Sequence, residues 1–172
     1  MDINVKFKLP SWDEIPNLDL YLDQVISLVD NYLSPILPVE NSEAILTKSM
    51  VNNYVKHKVI EAPVKKKYNK NSVCCLIAVC ILKSVFSMND ISILLKTGLD
   101  IGNPEDTYRK FCNAIEKAVK CAFEGTAYAE PASTNAEPYL LQNIAQAFAC
   151  KLYTQQYCLL QANASPDLLV VD

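Results

Sequence analysis

Leu46-Thr47-Lys48-Ser49-Met50-Val51-Asn52-Asn53-Tyr54-Val55-Lys56-His57 is the stretch that decides how this chain is read. Met50, Val51, Tyr54 and Val55 stand three and four apart, which puts their side chains on one side of an α-helix. Thr47 precedes them and can cap the helix by accepting a hydrogen bond from a first-turn N–H. Lys48, Ser49, Asn52, Asn53 and Lys56 are left on the other side. Lysine finds phosphates, and asparagine both donates to and accepts from a base edge. The spacing therefore predicts a short helix, about Lys48 to His57, with one buried face and one polar face suited to nucleic acid. Plain solvent exposure of Asn52 and Asn53 is the simpler alternative.

Behind the helix comes Lys58, then Val59-Ile60-Glu61-Ala62-Pro63-Val64-Lys65-Lys66-Lys67-Tyr68, with three consecutive positive charges. This segment reads as a small hairpin wing, and Pro63 would keep it to an edge. Asn69 is a good cap for the next helix, read as running to about Phe86. Val73, Cys74, Leu76, Ile77, Cys80, Ile81 and Leu82 make that helix apolar almost all round, which places it at the centre of a domain. A short helix, Met88 to Lys96, follows Ser87 with Ile91, Ile93, Leu94 and Leu95 inward.

The pattern Ser49-Met50-Val51-x-x-Tyr54, then Val59-Ile60-x-x-Pro63, then Tyr68-Asn69 opening a helix, resembles the winged helix-turn-helix of MerR-type transcription regulators. Leu82-Lys83-x-x-Phe86-Ser87-Met88-x-Asp90-Ile91 extends the likeness. With Pro16-x-Leu18-x-Leu20-Tyr21-x-Asp23-Gln24 upstream, the N-terminal half is similar to a bacterial group of MerR-like proteins of unknown function, the YkrK-like group. The resemblance implies a DNA-binding regulator that docks as a two-fold dimer on duplex DNA. It also implies roles by position. Ser49, Asn52, Asn53 and Lys56 would face the major groove. Lys48, Lys58, Lys65, Lys66 and Lys67 would take phosphates, and Tyr68 would support the wing. Two features differ from the pattern. Residues 34–46 exceed the usual three- or four-residue turn. The wing carries lysines where MerR-type proteins usually have arginines and a glycine, and lysine lacks arginine's bidentate fork.

Working outward, residues 1–17 read as an extended arm with Pro10, Trp12 and Pro16, the tryptophan docking on the helical body. A first helix is expected from Leu18 to Leu33, with Leu18, Tyr21, Leu22, Val25, Ile26, Val29, Tyr32 and Leu33 on its apolar face. A short helical turn is expected near Ser42 to Ile45. Leu99-Asp100-Ile101-Gly102-Asn103-Pro104 breaks the chain, dividing it into a winged-helix domain, 1–103, and a helical region, 104–172. The second region reads as two helices, Glu105 to Phe123 and Glu137 to Gln161, joined by the loop from Gly125 to Asn135. They are expected to form an antiparallel pair, packed on itself, on the first half or on a second copy as a homodimer. The apolar tail from Ser165 to Asp172 is expected to dock. The fold class is all-α, consistent with only three glycines and 51% hydrophobic residues.

Charge is distributed unevenly. The net charge is −3, yet residues 44–70 hold seven lysines against Glu61, or +6, leaving −9 on the remainder. A basic patch on an acidic protein is an electrostatic footprint for a polyanion, though a solvated lysine-rich face has the same composition. Seven cysteines stand at 74, 75, 80, 112, 121, 150 and 158 with no C-x-x-C pair, and His57 is the lone histidine. They read as buried small hydrophobes in a reducing cytosol, not as zinc ligands. The start Met1-Asp2-Ile3-Asn4 has no signal pattern, and the longest apolar run, Val73 to Leu82, is too short to span a bilayer. Neither a nucleophile–base pair nor a phosphate-cradling glycine loop is present, so no enzyme, cofactor or metal is expected. The rival expectation is a protein-interaction or ligand-sensing module on the same scaffold, with Phe111, Phe148, Tyr153 and Tyr157 lining an effector site.

Overall fold

The computed structural model describes residues 6–38, 44–128 and 136–164. Most of those residues are helical. After a single 3-10 turn at Trp12–Glu14 come β1 (Leu20–Tyr21), α1 (Leu22–Leu33), α2 (Lys48–Lys56), β2 (Lys67–Tyr68), α3 (Lys70–Leu82), α4 (Met88–Ile101), α5 (Pro104–Glu124) and α6 (Ala136–Ala164). The protein is all-α, with one minimal antiparallel ribbon in which Leu20 pairs with Tyr68 and Tyr21 with Lys67.

Caps set most of the boundaries. Asn69 Oδ1 accepts from Ser72 N–H at 2.9 Å and opens α3. Ser87 Oγ accepts from Asp90 N–H at 3.2 Å and opens α4. Asn103 Oδ1 accepts from Asp106 N–H at 2.9 Å, and Pro104 fills the first helical position of α5, where a missing N–H costs nothing. Gly125 ends α5 at φ 65°, in the left-handed region that glycine enters without a steric penalty.

The first helix begins later than its apolar spacing suggests. Leu18 and Tyr21, expected on the inner face, are 57% and 53% exposed. Leu20 and Tyr21 instead spend their backbone groups on the ribbon to Tyr68 and Lys67, and Gln24 Oε1 then accepts from Tyr21 N–H at 2.9 Å. Of the expected stripe, Val25, Val29 and Leu33 are buried. Helix α3 stops at Leu82 instead of Phe86, and α4 runs to Ile101 past Lys96. Ile93 faces solvent at 55% exposure, contrary to expectation, while Ile91 is fully buried. The expected turn at Ser42 lies partly, and the tail 165–172 wholly, outside the described residues.

Helix α3 is the hub. From Ser72 to Leu82 every residue but Cys75 is buried. It packs against α1, α4 and α5. The arm closes over α5. Leu9 and Ile15 are each 1% exposed. Leu9 N–H donates to Glu116 Oε1 at 2.8 Å, and Trp12 lies against Tyr108 with ring centroids 6.3 Å apart. The buried side chains of the arm, α1, α2, α3, α5 and α6 form one contiguous core. Each fully buried leucine or isoleucine in it contributes about 1.5–3 kcal/mol.

Helices α5 and α6 pack extensively, and their direction is fixed by particular contacts. Phe123, near the end of α5, meets Tyr153, seventeen residues into α6, with ring centroids 5.2 Å apart. Phe111 in the first half of α5 shares a cavity wall with Leu141 and Ile144 in the first turns of α6. Tyr128, past the end of α5, returns to lie 4.6 Å from Lys117 Nζ. The two helices therefore run side by side in the same sense, not antiparallel. The connection 125–135 is long enough, at about 3.3 Å per residue, to travel back along α5.

Candidate nucleic-acid interface

Helix α2 is built as its sequence predicts. Thr47 Oγ1 accepts from Met50 N–H at 3.2 Å, Val51 and Tyr54 are buried, and Met50 and Val55 are half-buried. Lys48, Ser49, Asn52, Asn53 and Lys56 are all exposed on the outer side. One of them already has a partner: Lys48 Nζ is 2.7 Å from Asp23 Oδ1 of α1. Both side chains are well exposed, so this ion pair is weak and exchangeable. The approach to α2 is held from below, where Lys83 Nζ donates to the Ile45 carbonyl.

The C-terminal end of α2 is closed by a lysine. Val59 N–H donates to Tyr54 O at 2.9 Å and Lys58 N–H to Val55 O at 3.0 Å, the paired bonds of a Schellman cap. Lys58 takes the left-handed position of that cap, at φ 55°, where glycine is usual.

The wing turns on two more. Val64 N–H donates to Lys67 O at 3.0 Å and Lys67 N–H returns to Val64 O at 2.9 Å. Between them Lys65 and Lys66 sit at φ 49° and 65°. This is the backbone of a two-residue hairpin with left-handed conformation at both central positions, for which Asn-Gly is the common solution. A side chain in that region costs about 1–2 kcal/mol per residue. Among the described residues, every non-glycine residue with positive φ is a lysine of this basic stretch: Lys58, Lys65 and Lys66. All three are exposed, and Val64 beside them is 74% exposed.

The base of the wing is anchored. Tyr68 is 3% exposed and pairs with Leu20. Burial pushes its hydroxyl pKa up. It supports the wing from beneath and presents no surface to a ligand. Lys67 is half-buried, its Nζ 4.9 Å from the centre of the Tyr21 ring. Periodicity alone does not bring the exposed Tyr21 beside the wing, because a helix starting at Leu18 carries it elsewhere.

Other expected groupings do not form. Phe148 packs on Phe7, Tyr153 on Phe123, and Tyr157 is 46% exposed; of the four aromatic residues expected around an effector only Phe111 lines the large cavity. Cys150 and Cys158 are exposed on the outer side of α6, so the reading of all seven cysteines as buried fails for these two. The side of α6 that meets α5 is set by Ile144, Phe148 and Leu152, and positions 150 and 158 fall away from it. Among the described residues no three metal-ligating side chains converge, and no helix is long and apolar enough to cross a membrane.

The family model described as a domain of unknown function, DUF1836, matches residues 10–111, more than half of the 172 residues. The chain belongs to the DUF1836 family. The DUF1836 segment takes in the arm from Pro10, the ribbon, α2, the wing, α3 and α4, and ends at Phe111 in α5. It thus includes the lysine surface and, in α5, Tyr108, against which Trp12 lies. No curated protein and no solved structure matches the chain.

Proposed function

We propose that this DUF1836 protein is a DNA-binding transcription regulator of the cytosol whose α2 and wing act as a MerR-like winged helix-turn-helix. Ser49, Asn52, Asn53 and Lys56 would meet base edges in the major groove. Lys48, Lys58, Lys65 and Lys66 would contact phosphates, with Lys67 at the wing's edge and Tyr68 as its anchor. The observation that carries this reading is the set of left-handed lysines at 58, 65 and 66. Backbone cost of this kind gathers where a side chain must be presented in a particular direction. Here it coincides with the +6 stretch of an acidic chain. A two-fold dimer through the second half of α6 is supported by the exposed Tyr157, Leu159 and Leu160.

The test is fluorescence anisotropy with random-sequence duplex DNA at two salt concentrations. About five phosphate contacts give log K a slope near −4 to −5 against log salt. Micromolar binding with that slope supports the reading; no binding at low salt defeats it. A second reading, an interaction module in which α2 contacts protein, is favoured by the net −9 carried by the rest of the chain.

A further inference from the structure

A cavity of about 820 Å³ lies among α3, α4, α5 and the first turns of α6. Its volume falls within the range of about 300–1,000 Å³ typical of small-molecule sites. The wall changes character with depth. Its inner part comes from Ala78, Leu82, Leu94, Phe111, Ala114 and Ile144, all buried or half-buried. Gln142 is buried there too, but its Oε1 has no accessible surface and offers nothing to a ligand. Thr97 and Thr107 spend their hydroxyl hydrogens on the carbonyls of Ile93, at 3.0 Å, and Gly98, at 3.2 Å. The remaining amide and charged side chains, Asn71, Lys110, Asn113, Lys117 and Glu137, are all exposed and so stand at the rim.

The charges at that rim are unequal. Lys110, Asn113 and Lys117 stand three and four positions apart on α5, so they form one stripe along the opening. Among the described residues neither ammonium pairs with a carboxylate. Lys117 Nζ instead lies 4.6 Å from the centre of the Tyr128 ring, itself part of the wall. Against these two cations the rim sets one acid, Glu137. An apolar interior with a net positive edge, on a chain whose net charge is −3, is complementary to an apolar body with an anionic head.

We propose that this cavity binds an amphipathic carboxylate, whose hydrocarbon body fills the space between α3 and α5 while its carboxylate stays at the rim with Lys110, Asn113 and Lys117. That placement keeps the charge hydrated and avoids the cost of burying it. The site shares no residue with the lysine surface of α2 and the wing, and the inference holds whether or not the chain binds DNA.

The test uses decanoate and decanol, equal in chain length and different in charge. Dissociation constants are measured by equilibrium dialysis on the full chain, on Lys110→Gln with Lys117→Gln, and on Ala114→Trp, which fills the cavity. The wild type should take up one decanoate per chain and hold it more tightly than decanol. The double glutamine variant, changed only at exposed positions, should keep its affinity for decanol and lose about fivefold in affinity for decanoate, the worth of two exposed ion pairs. Ala114→Trp should lose both probes. Should it not fold, judged by far-UV circular dichroism, the two probes on the wild type and the double variant decide alone. Failure of the wild type to bind decanoate, or unchanged binding in a folded Ala114→Trp, overturns the cavity as a site. Decanol held as tightly as decanoate by the wild type, or decanoate held equally by the wild type and the double variant, overturns the assignment of a carboxylate to the lysine edge.

Discussion

The hydroxyl of Tyr108 in α5 donates a buried 2.9 Å hydrogen bond to the carbonyl of Pro10 in the arm, across ninety-eight positions of sequence. Burial drives the tyrosine pKa upward, so the donor stays protonated at any working pH. Tyr108→Phe would leave that carbonyl with only the Cys112 thiol, 4.0 Å away, and should cost about 1–3 kcal/mol. Urea unfolding checks this as a lower midpoint at unchanged slope. Tyr32→Phe removes a 2.7 Å bond to Glu14 O at an exposed site and should cost less. Equal losses would show that the arm is not pinned at Tyr108.

Removing the cap of α2 should weaken the whole domain, because Val51 and Tyr54 hold that helix in the shared core. Thr47→Ala loses the acceptor for Met50 N–H and should cost about 1 kcal/mol. In a chain of 172 residues that lowers the thermal midpoint by about 2–4 °C. Thr47→Ser keeps the acceptor and should recover most of the difference in a calorimetric scan.

The sequence makes legible what depends on neighbours along the chain. Thr47, Asn69 and Ser87 announce their helices because a cap acts within three residues, and the unbroken apolar run from Val73 to Leu82 identifies α3 as the hub. The polar face of α2 follows from the same periodicity. What fails to show is long-range. Leu20 and Tyr21 form a strand of two residues, too short for alternation to register, and only Tyr68 and Lys67 make it one. Lys65-Lys66 lacks the glycine that marks a left-handed turn, so the hairpin's geometry is invisible in its composition. The direction of α6 depends on where Tyr128 and Phe123 settle, and the cavity needs four helices to exist. Lys110 and Lys117 read as ordinary solvated lysines until α3, α4 and α6 close the space beside them.

The cysteines predict both a labelling pattern and a pH dependence. Cys150 and Cys158 are exposed and should react with a thiol reagent within minutes, whereas Cys74, Cys80 and Cys112 are buried and should wait for unfolding. Burial pushes the Cys74 and Cys112 thiols up to about 12 and Cys80 to about 11, from an ordinary 9.0. A raised folded-state value means that the unfolded chain loses these protons first. Stability from these groups is therefore complete below about pH 9 and falls as pH climbs toward 11 to 12. Urea titrations from pH 7 to 10.5 should show a plateau and then a decline. A stability that rises over that interval would contradict the burial of these three thiols.

The left-handed lysines allow structure and function to be separated in one variant. Lys65→Gly with Lys66→Gly removes two side chains from a region that costs an ordinary residue about 1–2 kcal/mol. Glycine's greater freedom in the unfolded chain takes back about 0.5–1 kcal/mol of that relief per site. The double variant should thus be as stable as the wild type or more so in thermal unfolding. The same change removes two cations from the wing tip, so duplex DNA binding should weaken and the salt slope should shrink by about 1.8. Opposite signs in the two measurements would mean that the turn sacrifices stability to present charge. A stabilised variant with an unchanged salt slope would take the wing out of the interface and leave α2 alone to account for any binding. A destabilised variant would show instead that the lysine side chains hold the turn together and that their left-handed backbone carries no net cost.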